Sequence, residues 1–176
     1  MVFELDRGLD TGEIIAQQVV ALLENETTAL ALPRFTDIGM NLLLEALINH
    51  PSPVAQIGDP TFAPKIMRSD AQLDFAAPSN QVVAKIQALN PEPMAWCLLS
   101  GQPLRIVEAV SLGNTNWGEL ENKKPHPGEV WLEHKQVRVA CANGTVLELR
   151  IVQPAGKKQM SAADWYRGLN GEVILE

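Results

Sequence analysis

Val137-Arg138-Val139-Ala140-Cys141-Ala142-Asn143-Gly144-Thr145-Val146-Leu147-Glu148-Leu149-Arg150-Ile151-Val152 decides how the second half of this chain folds. Two runs of alternating polarity flank Asn143-Gly144, a pair that accepts the positive φ angles of a tight hairpin turn. Val137, Val139 and Cys141 alternate with Arg138 and Ala140, and Leu147, Leu149 and Ile151 alternate with Glu148 and Arg150. That period of two predicts paired strands with one face buried. Upstream, Ala95–Leu99 and Leu104–Val110 are strand-like around the turn Ser100-Gly101-Gln102. Val130–Leu132 follows a polar loop that contains Asn114, Asn116 and Pro125. Downstream, Ser161 with Asp164 starts a short helix that Gly168 ends. Several short strands separated by turn signals predict a small β-barrel.

The first half has a different rhythm. Val2-Phe3-Glu4-Leu5 is a short apolar run before a polar, glycine-containing loop. Glu13–Leu22, rich in β-branched residues, predicts a strand. Asn25-Glu26-Thr27-Thr28 is a turn with helix-start chemistry, and Pro33 suits a helix's first turn, where its missing N–H costs nothing. Phe35, Ile38, Leu42 and the run to Ile48 keep helical spacing until Pro51-Ser52-Pro53. Four prolines and a glycine between residues 51 and 68 mark a connection. Beyond it, Ser79 is placed to cap a helix with the face Val82, Val83, Ile86 and Leu89, stopped by Asn90-Pro91-Glu92-Pro93. The predicted organisation is an α/β fragment over residues 1–50, a linker over 51–69 and a β-barrel domain over 70–176.

Composition narrows the function. A 46% hydrophobic content makes a packed core feasible and argues against disorder. No apolar run approaches the ~20 residues that cross a bilayer, and Met1–Asp6 lacks the basic and apolar regions of a signal peptide, so a cytoplasmic protein is expected. The formal charge of -7 argues against a strongly basic nucleic-acid binder. It is unevenly distributed, with nine acids against two bases in residues 1–64 and twelve of each in 65–176. Local basic spots remain at Lys123-Lys124, at Lys135 with Arg138, and at Lys157-Lys158. Cys97 and Cys141 lack any metal or redox spacing and read as reduced, buried apolar residues. His50, His126 and His134 do not form a helical zinc pair, so no metal is expected.

Two end motifs resemble the methionyl-tRNA formyltransferase family. Leu5-Asp6-Arg7-Gly8-Leu9-Asp10-Thr11-Gly12 is similar to the last catalytic loop, and residues 154–168, Pro-Ala-Gly-Lys-Lys-Gln-Met-Ser-Ala-Ala-Asp-Trp-Tyr-Arg-Gly, to the C-terminal signature. Between them, in the family's order, come Phe62-Ala63-Pro64-Lys65-Ile66, Asp70–Phe75, Ile86–Pro91 with Pro93-Met94-Ala95-Trp96, Gly101–Ile106, Pro127–Val130 and Leu149–Pro154. Their collinear succession carries the resemblance. It implies that residues 1–50 are the end of a Rossmann-like formyltransferase domain and that 70–176 form an OB-like barrel that helps hold tRNA.

The implied reaction moves a formyl group from 10-formyltetrahydrofolate to the amino group of initiator methionyl-tRNA in translation initiation, by an enzyme that is a monomer when intact. An amine attacking a formyl carbon needs a base for its proton and a donor for the developing oxyanion. The family uses an Asn, a His and an Asp, and the Asp maps to Asp10. Gly8, Leu9, Thr11 and Gly12 then form the substrate loop, with the glycines allowing a tight turn. Alone, Gly8–Gly12 also reads as a turn whose aspartate bonds its own backbone. The family's Asn-x-His and Ser-Leu-Leu-Pro segments do not occur in these 176 residues. The chain therefore looks truncated, and the resemblance implies that it does not catalyse formyl transfer by itself.

For tRNA binding the candidates are Lys65, Arg68, Lys157 and Lys158, each of which equally suits a solvated loop. Trp96 and Trp131 lie in strand-like runs and are expected in the core. Trp117 is either a loop anchor or a base-stacking residue. Two other functions compete: a non-catalytic tRNA-binding remnant, and a related folate-dependent formyltransferase or hydrolase acting on another amine or on formyl-folate. Without further strands, Val2–Leu5 and Ile14–Leu22 would leave an open sheet edge prone to association. Amide hydrogen exchange is expected to be faster over residues 1–50 than over 70–176, and equal protection in both would contradict this.

Overall fold

A computed structural model describes residues 1–114 and 125–176. Asn116, Trp117 and Lys123-Lys124, singled out above, lie outside the described residues. The chain divides into two units, Met1–Lys65 and Ile66–Glu176.

In the first unit, β1 (Val2–Phe3) pairs antiparallel with β2 (Ile14–Ala16), Val2 opposite Ala16 and Phe3 opposite Ile14. Val54 bridges to the other side of Ile14, with reciprocal N–H···O bonds of 2.8 and 2.9 Å. The strand predicted over 13–22 is thus only three residues long. The reason is a lack of partners: two residues of β1 supply hydrogen bonds to only part of that run, so Val19 and Leu22 lie exposed beyond it. Helix α1 spans Thr28–Asn49 and ends at His50 in the left-handed region. Pro33 therefore falls in its second turn, not its first, and leaves the Ala29 carbonyl without the usual N–H partner. Arg34 ties this helix to the preceding segment through Glu26 (2.6 and 2.8 Å) and the Ala21 carbonyl (3.0 Å).

One stripe of α1, Ala31, Phe35, Ile38, Leu42 and Ala46, is buried or half-buried. Its other side presents Leu32, Met40, Leu43, Leu44 and Leu47 to solvent. A helix apolar on both sides is normally covered on both. The α1 sequence therefore has more apolar surface than this short sheet buries. No described helix is long and apolar enough to cross a membrane.

The second unit opens with a 3₁₀ turn, Arg68–Ala71, and helix α2, Ser79–Leu89. Ser79 is the first helical residue, not the cap; its hydroxyl bonds to that of Ser111 at 2.7 Å and its N–H to Thr145 Oγ1 at 2.8 Å. The strands that follow are β3 (Trp96–Leu99), β4 (Gln102–Asn114), β5 (Glu129–Glu133), β6 (Gln136–Ala140), β7 (Thr145–Pro154), β8 (Met160–Ser161) and β9 (Val173–Ile174), with α3 (Ala162–Arg167) before the last. All named strand pairs are antiparallel, in the order β3-β4-β7-β6-β5-β9, with β8 on β7. Leu175, just past β9, bridges back to Leu99 of β3, and Glu176 exchanges two bonds with Leu98. The sheet thereby closes into a barrel.

Val82, Val83 and Ile86 of α2, Trp165 of α3, and Leu104, Ile106, Val137, Val139, Leu147, Leu149 and Val152 from the strands share one core. Each such large apolar side chain contributes about 1.5–3 kcal/mol on burial. Ser161 caps α3 through the Asp164 N–H at 3.1 Å, as its sequence predicts. Cys97 and Cys141 are free and buried, and desolvation pushes both thiols up to about 12, so neither is a ready nucleophile. Of the tryptophans, Trp165 is core, whereas Trp96 and Trp131 are only half-buried.

Two sequence expectations about the strands need correction. Asn143 and Gly144 do take left-handed angles (φ 59° and 72°), but the loop is wider than a two-residue turn. Cys141 tucks into the core and the Ala142 N–H bonds to the Phe75 and Ala77 carbonyls, holding the loop open. Along β7 the inward face switches: Val152 is buried while Ile151 is not. The register passes from Ile106–Val152 to Glu108–Ile151 and Ala109–Leu149, so one residue on each strand is skipped. A skipped residue shifts the alternation to the other face. Buried Asn90 secures the same place, donating to the Ile106 and Val107 carbonyls (3.0 and 2.7 Å) and accepting from the Ala95 N–H (3.1 Å).

Gly128 sits at the closing seam with φ 87°, its carbonyl accepting from the Leu175 N–H at 2.8 Å. A Cβ there would lie 2.2 Å from the Leu175 carbonyl oxygen. Gly128→Ala is expected to cost roughly 2–4 kcal/mol, by strain and by displacing the C-terminal strand. Urea unfolding would measure the loss, and an unchanged midpoint would count against this seam as the closure.

Candidate functional site

The loop from Asp6 to Gly12 in the first unit is built around a carboxylate that is not the expected one. Asp6, not Asp10, makes the local turn bonds: its Oδ1 accepts from the Gly8 N–H at 2.8 Å and the Thr11 hydroxyl at 2.6 Å. The Thr11 hydroxyl, then the Gly8 N–H, hold the Asp6 carboxyl below its ordinary pKa. From the side, Gln56 Nε2 donates to the carbonyls of Asp10 (3.0 Å) and Gly12 (2.7 Å). Close packing explains the glycines. A Cβ at Gly12 would lie 1.7 Å from the Glu4 carbonyl oxygen, and one at Gly8 2.1 Å from Thr11 Oγ1.

Asp10 is thus held through its backbone, in the left-handed region at φ 56°, with its residue exposed. That conformation is uncommon for a residue with a side chain, though aspartate, like asparagine, tolerates it better than most. The carboxylate makes no hydrogen bond or ion pair among the described residues. Leu9 beside it is also exposed. The arrangement presents a charged acceptor on a braced loop, suited to orienting a proton-bearing group brought to it.

A second feature lies on the outer face of the barrel. In antiparallel sheets, residues directly opposite one another share a face. Trp96 is opposite Arg105, and Arg105 opposite Gln153, so the three form one row across β3, β4 and β7. The neighbouring pair Cys97–Leu104 points inward. Arg68 completes the row: its guanidinium lies 5.9 Å from the Trp96 ring centre, and its carbonyl accepts from Trp96 Nε1 at 2.9 Å.

Arg68, Pro103, Arg105, Gln153, Pro154, Ala155 and Gly156 line a cleft of about 220 Å³. Its rim is a turn closed by the Lys157 N–H on the Pro154 carbonyl (3.1 Å), with Gly156 at φ 69°. Gln153 Nε2 holds that turn through the Lys157 carbonyl at 3.0 Å. Arg68 and Arg105 are exposed and, among the described residues, neither has a carboxylate partner within salt-bridge distance. Arg138 and Arg150 differ, being paired with Glu133 and with Glu108 and Glu148.

Of the four basic candidates from sequence, Arg68 lines this cleft, Lys157 closes the turn at its rim through its backbone, and Lys158 is the next residue along the chain. Lys65 belongs to the other unit. Arg105 and Gln153 were not singled out as candidates. Their signal was the outward phase of two alternating strands, legible only once the register pairs them. Among the described residues no cluster of His, Cys, Asp and Glu is placed to hold a metal.

Comparison with known proteins matches residues 65–170 to a family described as formyl transferase, C-terminal domain. The chain is 36% identical over 178 residues to the methionyl-tRNA formyltransferase of Leifsonia xyli subsp. xyli, covering 99% of this chain and 56% of that protein. It is 34% identical over 173 residues to that of Corynebacterium urealyticum, covering 95% and 51% respectively. It therefore spans about half the length of these relatives. Among solved structures, a variant of HypX from Aquifex aeolicus superposes with a TM-score of 0.64 at 17% identity, over 94% of this chain and 30% of that one. HypX in complex with tetrahydrofolic acid gives 0.62 at 18% identity, over 93% and 28%. At such identities the likeness is one of fold.

The geometry separates two roles within the loop. Asp10→Asn is expected to leave stability within about 0.5 kcal/mol of the parent, as at other exposed positions. Gly12→Ala is expected to disorder residues 4–13, seen as lost amide protection there while the barrel's is kept. Equal protection in the two variants would show that the loop does not depend on that contact.

Proposed function

Since this chain belongs to the formyl transferase C-terminal domain family, we propose that it is the C-terminal part of a methionyl-tRNA formyltransferase acting in the cytoplasm. The observation that carries this is the identity of 34–36% to proteins of that name along nearly the whole chain, both units included. The family match alone covers only the second unit and its border.

In this reading the reaction transfers a formyl group from 10-formyltetrahydrofolate to the methionyl amine of initiator tRNA. The amine must lose a proton as the tetrahedral intermediate forms. Asp10 sits in the catalytic loop and orients and charges an imidazole that these 176 residues do not themselves bring to it. Its exposed carboxylate on a backbone braced by Gln56 supports that role. Gly8 and Gly12 permit the close packing that the loop needs, and Leu9 and Thr11 complete it. The barrel holds the tRNA through Arg68, Lys157 and Lys158, with Lys65 contributing from the first unit. Because the family's Asn-x-His segment is not among these residues, the polypeptide by itself binds without turning over.

The test is a formylation assay with initiator methionyl-tRNA and 10-formyltetrahydrofolate. The 176-residue chain is expected to give no turnover. Joined to the preceding half of a relative such as the Leifsonia protein, it is expected to be active, and Asp10→Asn to lower kcat by at least about 10²-fold. Full turnover by the chain alone, or an active chimera indifferent to Asp10→Asn, would overturn the assignment.

A further inference from the structure

We infer that Arg68 and Arg105 form a two-cation clamp for a single RNA phosphate, with Trp96 as the positioning residue that sets their separation. This deepens the tRNA reading above and rests on it for the identity of the partner. Three observations converge on the cleft. First, its two guanidiniums are exposed and free of carboxylates among the described residues, whereas Arg138 and Arg150 on the same barrel are paired. Unpaired arginines facing one space attract an anion, and the planar guanidinium suits phosphate oxygens.

Second, the two arginines come from different elements, Arg105 set in place by strand register and Arg68 by its contacts with Trp96. Arg105 stands on β4 between Trp96 and Gln153. Arg68 lies on the 3₁₀ turn that enters the barrel, where the Trp96 ring and Nε1–H hold its guanidinium and its carbonyl together. The Leu73 N–H bonds to the Trp96 carbonyl at 2.7 Å and anchors the same segment. A guanidinium already held against a ring, as that of Arg68 is, loses less entropy on binding than a free one would. Third, the cleft of about 220 Å³ has room for a phosphate and several waters, each occupying about 30 Å³ in the liquid. Gln153 adds a neutral amide at its wall. Arg68 lies over one face of Trp96, and a contact made to phosphate is independent of sequence.

The experiment measures affinity of the full chain for fluorescent initiator tRNA over a range of salt concentrations. Loss of one phosphate contact lowers the slope of log K against log salt by about 0.7–0.9. Arg105→Gln and Arg68→Gln are each expected to show that drop and about a fivefold to tenfold weaker binding at low salt. Because both hold one phosphate, the double variant is expected to lose less than the product of the two single losses. Trp96→Phe keeps a ring but removes the Nε1–H bond, and is expected to weaken binding less than Trp96→Ala.

A second readout separates the clamp from the tRNA reading. The indole N–H resonance of Trp96 is followed as inorganic phosphate is added, and is expected to shift in the parent and not in Arg105→Gln. Parent-like tRNA slopes in both arginine variants would overturn the clamp and leave the tRNA reading standing. An Arg105-dependent phosphate shift without tRNA binding would keep the clamp and overturn the tRNA reading. Neither response would overturn both.

Discussion

Val173–Glu176 is the constraint on which the barrel depends. An antiparallel sheet has two edges, each a row of unsatisfied N–H and C=O groups. Here Val173 and Ile174 pair with β5, and Leu175 and Glu176 reach β3, so a single short segment satisfies both edges. Gly128 makes this possible, because its missing side chain lets the Leu175 carbonyl approach. Closure in turn encloses the apolar faces of β4, β6 and β7 and gives α2 and α3 a continuous surface to cover. The outer face is then free to carry Trp96, Arg105 and Gln153 in register.

The first unit has no such closure. Two strands of two and three residues leave most of the run after β2 unpaired, and α1 keeps a second apolar side in solvent. Yet the Asp6–Gly12 loop is well supported, by local bonds to Asp6 and by Gln56 reaching across from the end of the unit. The loop's geometry is therefore settled by contacts within the unit, even though the sheet around it is small. Relatives about twice as long as this chain match it across both units, the small sheet and the closed barrel alike.

Much of the second unit was legible from residue order. The Ser161–Asp164 cap, the end of α2 before Asn90-Pro91, and the turn at Ser100-Gly101 follow from chemistry confined to a few residues. The errors came where distant groups compete for a local preference. Ser79 gave up a capping role for Ser111 and Thr145, and the Asn143-Gly144 turn widened around Cys141 and Phe75. Ile151 lost the inner face to Val152 because β4 and β7 each skip a residue.

What residue order carries by itself is the β-rich character of the second unit, the family resemblance, and the glycine-bearing stretch around Asp10. These depend on periodicity, on turn residues and on motif spacing, all properties of neighbours along the chain. Only the tertiary structure decided that Asp6 and Gln56, not Asp10, build that loop, and that Arg105 and Gln153 belong with Arg68. Strand register and close approach set those relations between residues far apart in sequence, and no local pattern encodes them.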